Sequence, residues 1–572
     1  MSRLNVDQKT VKALFADNNV DFLIPDYQRP YAWGKEECET LWDDLFGFAF
    51  PDNDSDKFKP DKEYYFLGPI VTFENDDGKQ EVIDGQQRLT TLMLLLRAFF
   101  AHYGSMQDDK SLKTARQIAQ CIWKTDEYGD ARETNLKIES LVATDDEKGE
   151  FLNILREGWS SEMKSRYAQN YVLFRQKIQE FASKYPDYFS LLPIRIMNNC
   201  ILLPILADSQ DTALRIFSTL NDRGMPLSDA DIFKAQLYKF YKGRDRKDEF
   251  ISKWKDLEEL CNGADVPLGE VFRRYMYYER AKAGVKDTTK EALRKFYENY
   301  NLLEQEGTLE SVIDLTRFWR DVAAQNDERF TDKILSRLFV LKYAPNGVWT
   351  SIVSVYYLSN RDKDGHLDED AFYQFLSRIT GFIWAYAFTN PNVSALRTPV
   401  YAEMVKIVSS KEVDFEDYKF DAPHVREVLN INSRRLKRAR KLTMLAWWAF
   451  QYNGQSLLTS ESRFEIEHIF ARERQNRDKI LNNEENLESL GNAVLLEKRI
   501  NIRVSDYRFD DKKKYYLGFT KNDGKIMEGT KVKELRDLAE TKSDFTEDDI
   551  EARCNKIIDG FIQYLSDNGL LK

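Results

Sequence analysis

Gln80-Glu-Val-Ile-Asp-Gly-Gln-Gln-Arg-Leu-Thr-Thr-Leu-Met-Leu-Leu-Leu-Arg-Ala-Phe-Phe100 changes character in its middle. Gln80 to Ile83 reads as a short strand, and Gln86 to Phe100 as a strongly apolar helix. Asp84-Gly85 is all that separates them. A strand that runs straight into a helix predicts an α/β domain. It also gathers free backbone N–H groups, a flexible glycine and the forked donors of Arg88 at a helix N-terminus, an arrangement suited to phosphate.

Working outward, Tyr65 to Phe73 is a second strand, joined to the first through Glu74-Asn-Asp-Asp-Gly78 as a hairpin with a Gly-containing turn. Upstream, the pattern predicts a helix over Val6 to Phe15, an extended Phe22-Leu-Ile24 and a helix from Lys35 to Phe48. Pro51 to Asp61 reads as a surface loop. From about Ser111 to the 420s, apolar and aromatic residues recur at helical spacing, as in Phe217-Ser-Thr-Leu220 and Phe372-Tyr-Gln-Phe375. Arg434-Arg-Leu-Lys-Arg-Ala-Arg-Lys441 opens a helix through Phe450, and a distinct final segment begins near Ser460. Boundaries near 240 and 430 give three expected domains: α/β over 1–240, helical over 241–430, and a small, distinct unit over 431–572.

Composition narrows the class. A chain of 572 residues, 42% hydrophobic and 13% aromatic, can bury more than one core. The five cysteines are scattered without a C-x-x-C pair, and the first residues carry no secretory leader, so reduced thiols and a cytoplasmic location are expected. The apolar runs Leu92 to Leu96 and Leu445 to Phe450 are too short to span a bilayer, which argues against a membrane partner. A net charge of −11 excludes a histone-like coat for nucleic acid and leaves local basic patches as the only route to DNA. No G-x-x-x-x-G-K-[ST] is present, which excludes a P-loop. Asn360-Arg-Asp-Lys-Asp-Gly365 imitates a calcium loop but has Ala371 at the twelfth position, where a bidentate Glu is needed, so a turn between helices is expected.

The most specific chemistry lies in Phe464-Glu-Ile-Glu-His-Ile-Phe470, followed by Leu490-Gly-Asn-Ala-Val-Leu-Leu496 and Asn501. Alternation suits a hairpin strand with Glu467 and His468 side by side at its end. A carboxylate for a hard divalent cation beside an imidazole for the attacking water's proton is what a one-metal nuclease requires.

This pattern resembles the HNH, or His-Me finger, nucleases, especially the nuclease half of GmrSD-type modification-dependent restriction enzymes. It is similar also to the HNH domain of RNA-guided DNA-cutting effectors. The resemblance implies a ββα-metal fold in which His468 is the general base, Glu467 and Asn501 hold Mg²⁺ (or Mn²⁺), and Asn492 braces their loop. The family's trailing lysine matches Lys512, Lys513 or Lys514, with Lys513 taken as the phosphate contact. Ala471 stands where the family usually has Pro, which weakens a turn signal and removes no ligand.

Asp84-Gly-Gln-Gln-Arg88, with Ile24-Pro-Asp-Tyr-Gln-Arg-Pro-Tyr-Ala-Trp33 upstream and Ile216-Phe-Ser-Thr-Leu-Asn-Asp-Arg-Gly-Met-Pro-Leu-Ser228 and Asp231-Ile-Phe-Lys234 downstream, resembles the ParB/sulfiredoxin-like half of GmrSD, BrxU and SspE. That resemblance implies binding and hydrolysis of a nucleoside triphosphate by Gln28, Arg29, Asp84, Gly85, Gln86, Gln87 and Arg88, with Asn221 and Gly224 nearby. Arg434, Arg435, Lys437 and Arg438 either line a DNA path or lie as solvated stems over Trp447 and Trp448. The expected partner is double-stranded, modified phage DNA, and self-association as a homodimer is also expected. The rivals are a nucleotide-switched sensor with an idle nuclease fold and a non-specific nuclease or RNase toxin.

Overall fold

A computed structural model describes residues 5–572 apart from 187, 211, 215, 217–228, 286–292, 391, 435 and 460–461. It divides into two compact units, Met1–Lys255 and Asp256–Lys572. The second contains both the expected helical middle and the expected nuclease segment.

The first unit is built on β1 (Asn5–Val6), β2 (Lys9–Thr10), β3 (Phe22–Ile24), β4 (Tyr65–Glu74), β5 (Gln80–Asp84), β8 (Ile138–Ser140) and β9 (Cys200–Ala207), with β6 (Trp123–Thr125) and β7 (Ala131–Leu136) as a separate hairpin. The sheet order is β1-β9-β4-β5-β3-β8, and β2 also pairs with β9. The sheet is mixed. β4 runs antiparallel to β5 and parallel to β9, while β3 runs parallel to β5 and β8. The helix Gln86–Tyr103 leaves β5 and packs against helices Asp109–Ile122 and Arg166–Lys184. Leu89, Leu92, Met93, Leu94, Leu95, Leu96 and Phe99 on it are fully buried, as a helix apolar on every side must be.

Two expectations are corrected. The helix predicted over Val6 to Phe15 is only Val11–Phe15; the preceding residues pair as β1 and β2 with β9. The segment after Ser111 is not uniformly helical, because β6 to β9 interrupt it and β9 lies inside the main sheet. Pro204 there pairs with Ile70 across a parallel ladder, a position that propensity disfavours because proline brings no N–H to the ladder.

In the second unit, helices such as Thr308–Ala323, Val348–Asn360 and Glu369–Thr389 precede the hairpin of β10 (Phe464–His468) and β11 (Ala493–Glu497). Residues 360–365 form the expected turn: Asp362 accepts from the backbone N–H groups of Asp364 and His366, and Asp368 caps the following helix. Among the described residues, no helix is long and apolar enough to cross a membrane.

Candidate functional site

In the first unit, the chain passes from β5 into the long helix through Gly85, whose φ of +92° is left-handed. A side chain there would be strained, and its Cβ would lie 3.1 Å from Ile70 Cγ1. The three glutamines of the motifs then tie two segments together. Gln28 Nε2 donates to the Val82 and Ile83 carbonyls, each at 3.2 Å. Gln86 Nε2 donates to Arg29 O at 3.1 Å. Gln87 Oε1 accepts from Ala32 N at 2.7 Å and Trp33 N at 3.2 Å, while its Nε2 donates to Pro30 O at 3.2 Å. All three are buried, so their amides fix the shape of the loop.

The charges of this site are Asp84, Arg88 and Arg29. Arg88 Nη1 donates to Pro69 O at 2.9 Å, and its guanidinium lies flat against Gly68, where a Cβ would fall 2.8 Å from Arg88 Cζ. Burial raises the Asp84 carboxyl above its ordinary value, against the pull of the Gly85 N–H and of the Arg88 and Arg29 guanidiniums. Arg29 is half-buried and, among the described residues, its side chain makes no hydrogen bond. A cleft of about 530 Å³ opens beside Pro30 and Tyr31, lined by Asp145, Asp146 and Glu147 and also by Arg166. Asn221 and Gly224 lie outside the described residues.

In the second unit, β10 and β11 pair with His468 opposite Ala493 and Glu467 opposite Val494. Asn492 is fully buried and clasps the loop after His468: its Oδ1 accepts from Phe470 N at 2.7 Å, and its Nδ2 donates to Phe470 O at 3.1 Å and Leu487 O at 2.9 Å. The turn before β11 is held from outside by Arg553, on the helix Glu547–Asp567. Its Nη1 donates to the carbonyls of Leu490, Gly491 and Ala493. Its other edge forms a buried pair with Glu534, which also accepts from Trp448 Nε1. Gly491 is required here, since a Cβ would lie 1.9 Å from Ile550 O.

His468 is mostly buried, and that burial, aided by the charge of Arg472 and opposed by Glu488, pushes its imidazole down to about 4. It is neutral at pH 7 and free to accept a proton. Its Nε2 stands 3.6 Å from Glu488 Oε1 and 3.5 Å from Arg472 Nη2. Glu488 is also bound by Arg472, and at 3.0 Å by the buried Lys441.

Glu467 and Asn501 have different hydrogen-bond partners. Glu467 Oε1 accepts from Lys512 Nζ and from Tyr516 Oη, both at 2.7 Å, and burial raises its carboxyl against the pull of Lys512. Asn501 Nδ2 instead donates to Glu465 Oε2 at 3.1 Å. Among the described residues, no three His, Cys, Asp or Glu side chains gather as a metal cage. The oxygen donors of Glu465, Glu467 and Asn501 still fit Mg²⁺ in kind, because that ion commonly rests on one or two carboxylates and completes its shell with water and substrate phosphate. Of the lysines after Phe509, Lys512 is spent on Glu467, Lys513 pairs with Asp510 at 3.6 Å and Lys514 lies over the Tyr515 ring.

Of the basic stretch, Arg434 bonds Asn486 and faces Glu551, whereas Lys437 and Arg438 are exposed and in no ion pair among the described residues. Arg435 lies outside the described residues. Trp447 packs on Phe561 and Tyr564, and Trp448 is buried with its indole N–H on Glu534. Sequence reasoning missed Glu488, Arg472, Lys441, Arg553 and Tyr516. All but Arg472, which follows His468 by four residues, reach the site from a distance in sequence that no local pattern marks.

Two units, one with glutamine-tied arginines and the other with a neutral histidine on a hairpin, define a restriction endonuclease by their match to family models. GmrSD restriction endonuclease, N-terminal domain, matches residues 11–238, and GmrSD restriction endonucleases, C-terminal domain, matches residues 421–559. The chain belongs to the GmrSD restriction endonuclease family. Its substrate class is accordingly DNA and its reaction hydrolysis, in phage restriction. A comparison with curated proteins returns no match.

Proposed function

We propose that the second unit cuts double-stranded DNA, with modified phage DNA as its target, through an HNH-type reaction centred on His468, and that a nucleoside triphosphate handled by the ParB-like first unit controls the cut. The observation that carries this reading is the neutral imidazole of His468 at the end of a hairpin whose following loop Asn492 fastens. His468 takes a proton from water as the water oxygen bonds to phosphorus and the bond to the 3′-oxygen breaks; the departing 3′-oxygen takes a proton from solvent, leaving 5′-phosphate and 3′-hydroxyl ends. Glu465, Glu467 and Asn501 would hold Mg²⁺ or Mn²⁺, which when bound supplies Lewis-acid stabilisation of charge on the phosphate. Lys437 and Arg438 offer unpaired charge to the DNA backbone.

The first unit binds triphosphate through Arg29 and Arg88, with Gln28, Gln86 and Gln87 holding the loop that presents them. The test is nicking of supercoiled plasmid with and without Mg²⁺, by wild type and His468→Ala. Metal-dependent nicking that the variant loses supports the reading. Equal nicking by both would overturn it. The salt bridge from Lys512 to Glu467 favours one rival, a nucleotide-switched sensor with an idle nuclease fold. Modified phage DNA left intact by wild type at every Mg²⁺ and Mn²⁺ concentration, both with and without each nucleoside triphosphate, would select that rival.

A further inference from the structure

The charges around His468 do not balance. Glu488 brings one negative charge, and Arg472 and Lys441 bring two positive ones. One positive charge is left over at the ring. Other arginines of this region are spent: Arg474 forms two bonds with Asp544, Arg508 pairs with Asp478, and Arg553 is buried on Glu534. Arg472, 53% exposed and paired with Glu488, differs in its place: its Nη2 stands 3.5 Å from His468 Nε2.

We infer that Arg472 contacts the phosphate of the bond that is cut, and that Glu488 is the positioning residue on which it waits. This rests on the nuclease reading of His468. The exchange is cheap for three reasons. The pair of Arg472 with Glu488 is half-exposed, so it contributes little to stability. A guanidinium presents to a phosphodiester the same parallel fork of donors that it presents to a carboxylate. When Arg472 leaves, Lys441 remains on Glu488 at 3.0 Å, and no carboxylate is stranded. The move also uncovers Nε2 of His468 for the attacking water. Substrate thereby opens the base that cleaves it.

The test has two arms, both on the full chain. In the first, nicking of supercoiled plasmid with Mg²⁺ is followed for wild type, Arg472→Ala, Arg472→Lys and His468→Ala. Arg472→Ala should lower kcat/KM about ten- to a hundredfold, the loss of one charge-assisted contact, with Arg472→Lys recovering part. In the second, affinity for a duplex of about 30 base pairs is measured across salt in the His468→Ala background, with and without Arg472→Ala. The slope of log affinity against log salt should shrink by about 0.9, the release belonging to one phosphate contact. Reduced nicking with an unchanged slope would overturn the inference, since Arg472 would then only hold His468. A reduced slope with unchanged nicking would overturn it too, placing the contact away from the cut, as would no change in either arm. Wild-type nicking by His468→Ala marks the distinct failure of the nuclease reading.

Discussion

Around Gln87 the chain is held by neutral amides, and around His468 by charges. Gln28, Gln86 and Gln87 bond backbone groups of β5 and of residues 29–33, so the N-terminal motif is its own scaffold. The His468 hairpin carries little of its support in its own sequence; Lys512, Glu488, Lys441 and Arg553 bring it from other helices and loops. The first arrangement tolerates changes of distant residues and is sensitive at its own glutamines. In the second, residues far from the motif carry as much of the geometry as the motif does.

Substitutions can break this contrast, beginning with the largest effect. His468→Ala should slow DNA cleavage by roughly two to four orders of magnitude, the contribution of a positioned proton acceptor, while the melting curve stays in place. Arg553→Ala strands the buried Glu534 carboxylate and frees the turn before Asn492; a loss of about 3–5 kcal/mol in denaturant unfolding is expected, with cleavage falling alongside. Gln87→Ala leaves Ala32 N, Trp33 N and Pro30 O without their partner and should cost roughly 1–3 kcal/mol, read in the unfolding of the first unit. A Gln87→Ala protein as stable as wild type would show that the amides do not set the loop.

The smallest change sharpens the account most. Gly68 has a φ of +123°, and a Cβ there would meet the Arg88 guanidinium at 2.8 to 3.0 Å. Gly68→Ala should displace Arg88 and lower nucleotide hydrolysis toward the level of Arg88→Ala, at a stability cost of about 1–3 kcal/mol for the strained backbone. Phosphate release by both variants checks this, and full hydrolysis by Gly68→Ala would separate Arg88 from the chemistry.

The strand-to-helix passage at Asp84-Gly85 and the hairpin strand at Phe464 to His468 were legible because each is a local change or alternation of period. β9 was not. Cys200 to Ala207 is a short apolar run that a buried helix could equally show, and Pro204 argues against a central strand. The neighbours of Glu467 were also hidden. Alternation places Glu465 and Glu467 on one face, but only the fold brings Lys512, 45 residues later, onto Glu467 and leaves Asn501 to Glu465. The bracing role of Asn492 was implied by the family resemblance alone, and its amide makes three bonds to Phe470 and Leu487.

The central claim is that one chain carries a DNA-cutting site and a nucleotide site that governs it. Cleavage of target phage DNA and release of phosphate, followed in the same tubes across a nucleotide titration for wild type, His468→Ala and Arg88→Ala, tests it most directly. The account predicts that nucleotide changes the wild-type cutting rate, that His468→Ala hydrolyses nucleotide without cutting, and that Arg88→Ala loses both hydrolysis and the nucleotide response. Identical wild-type cutting at every nucleotide concentration, with hydrolysis proceeding, would contradict it.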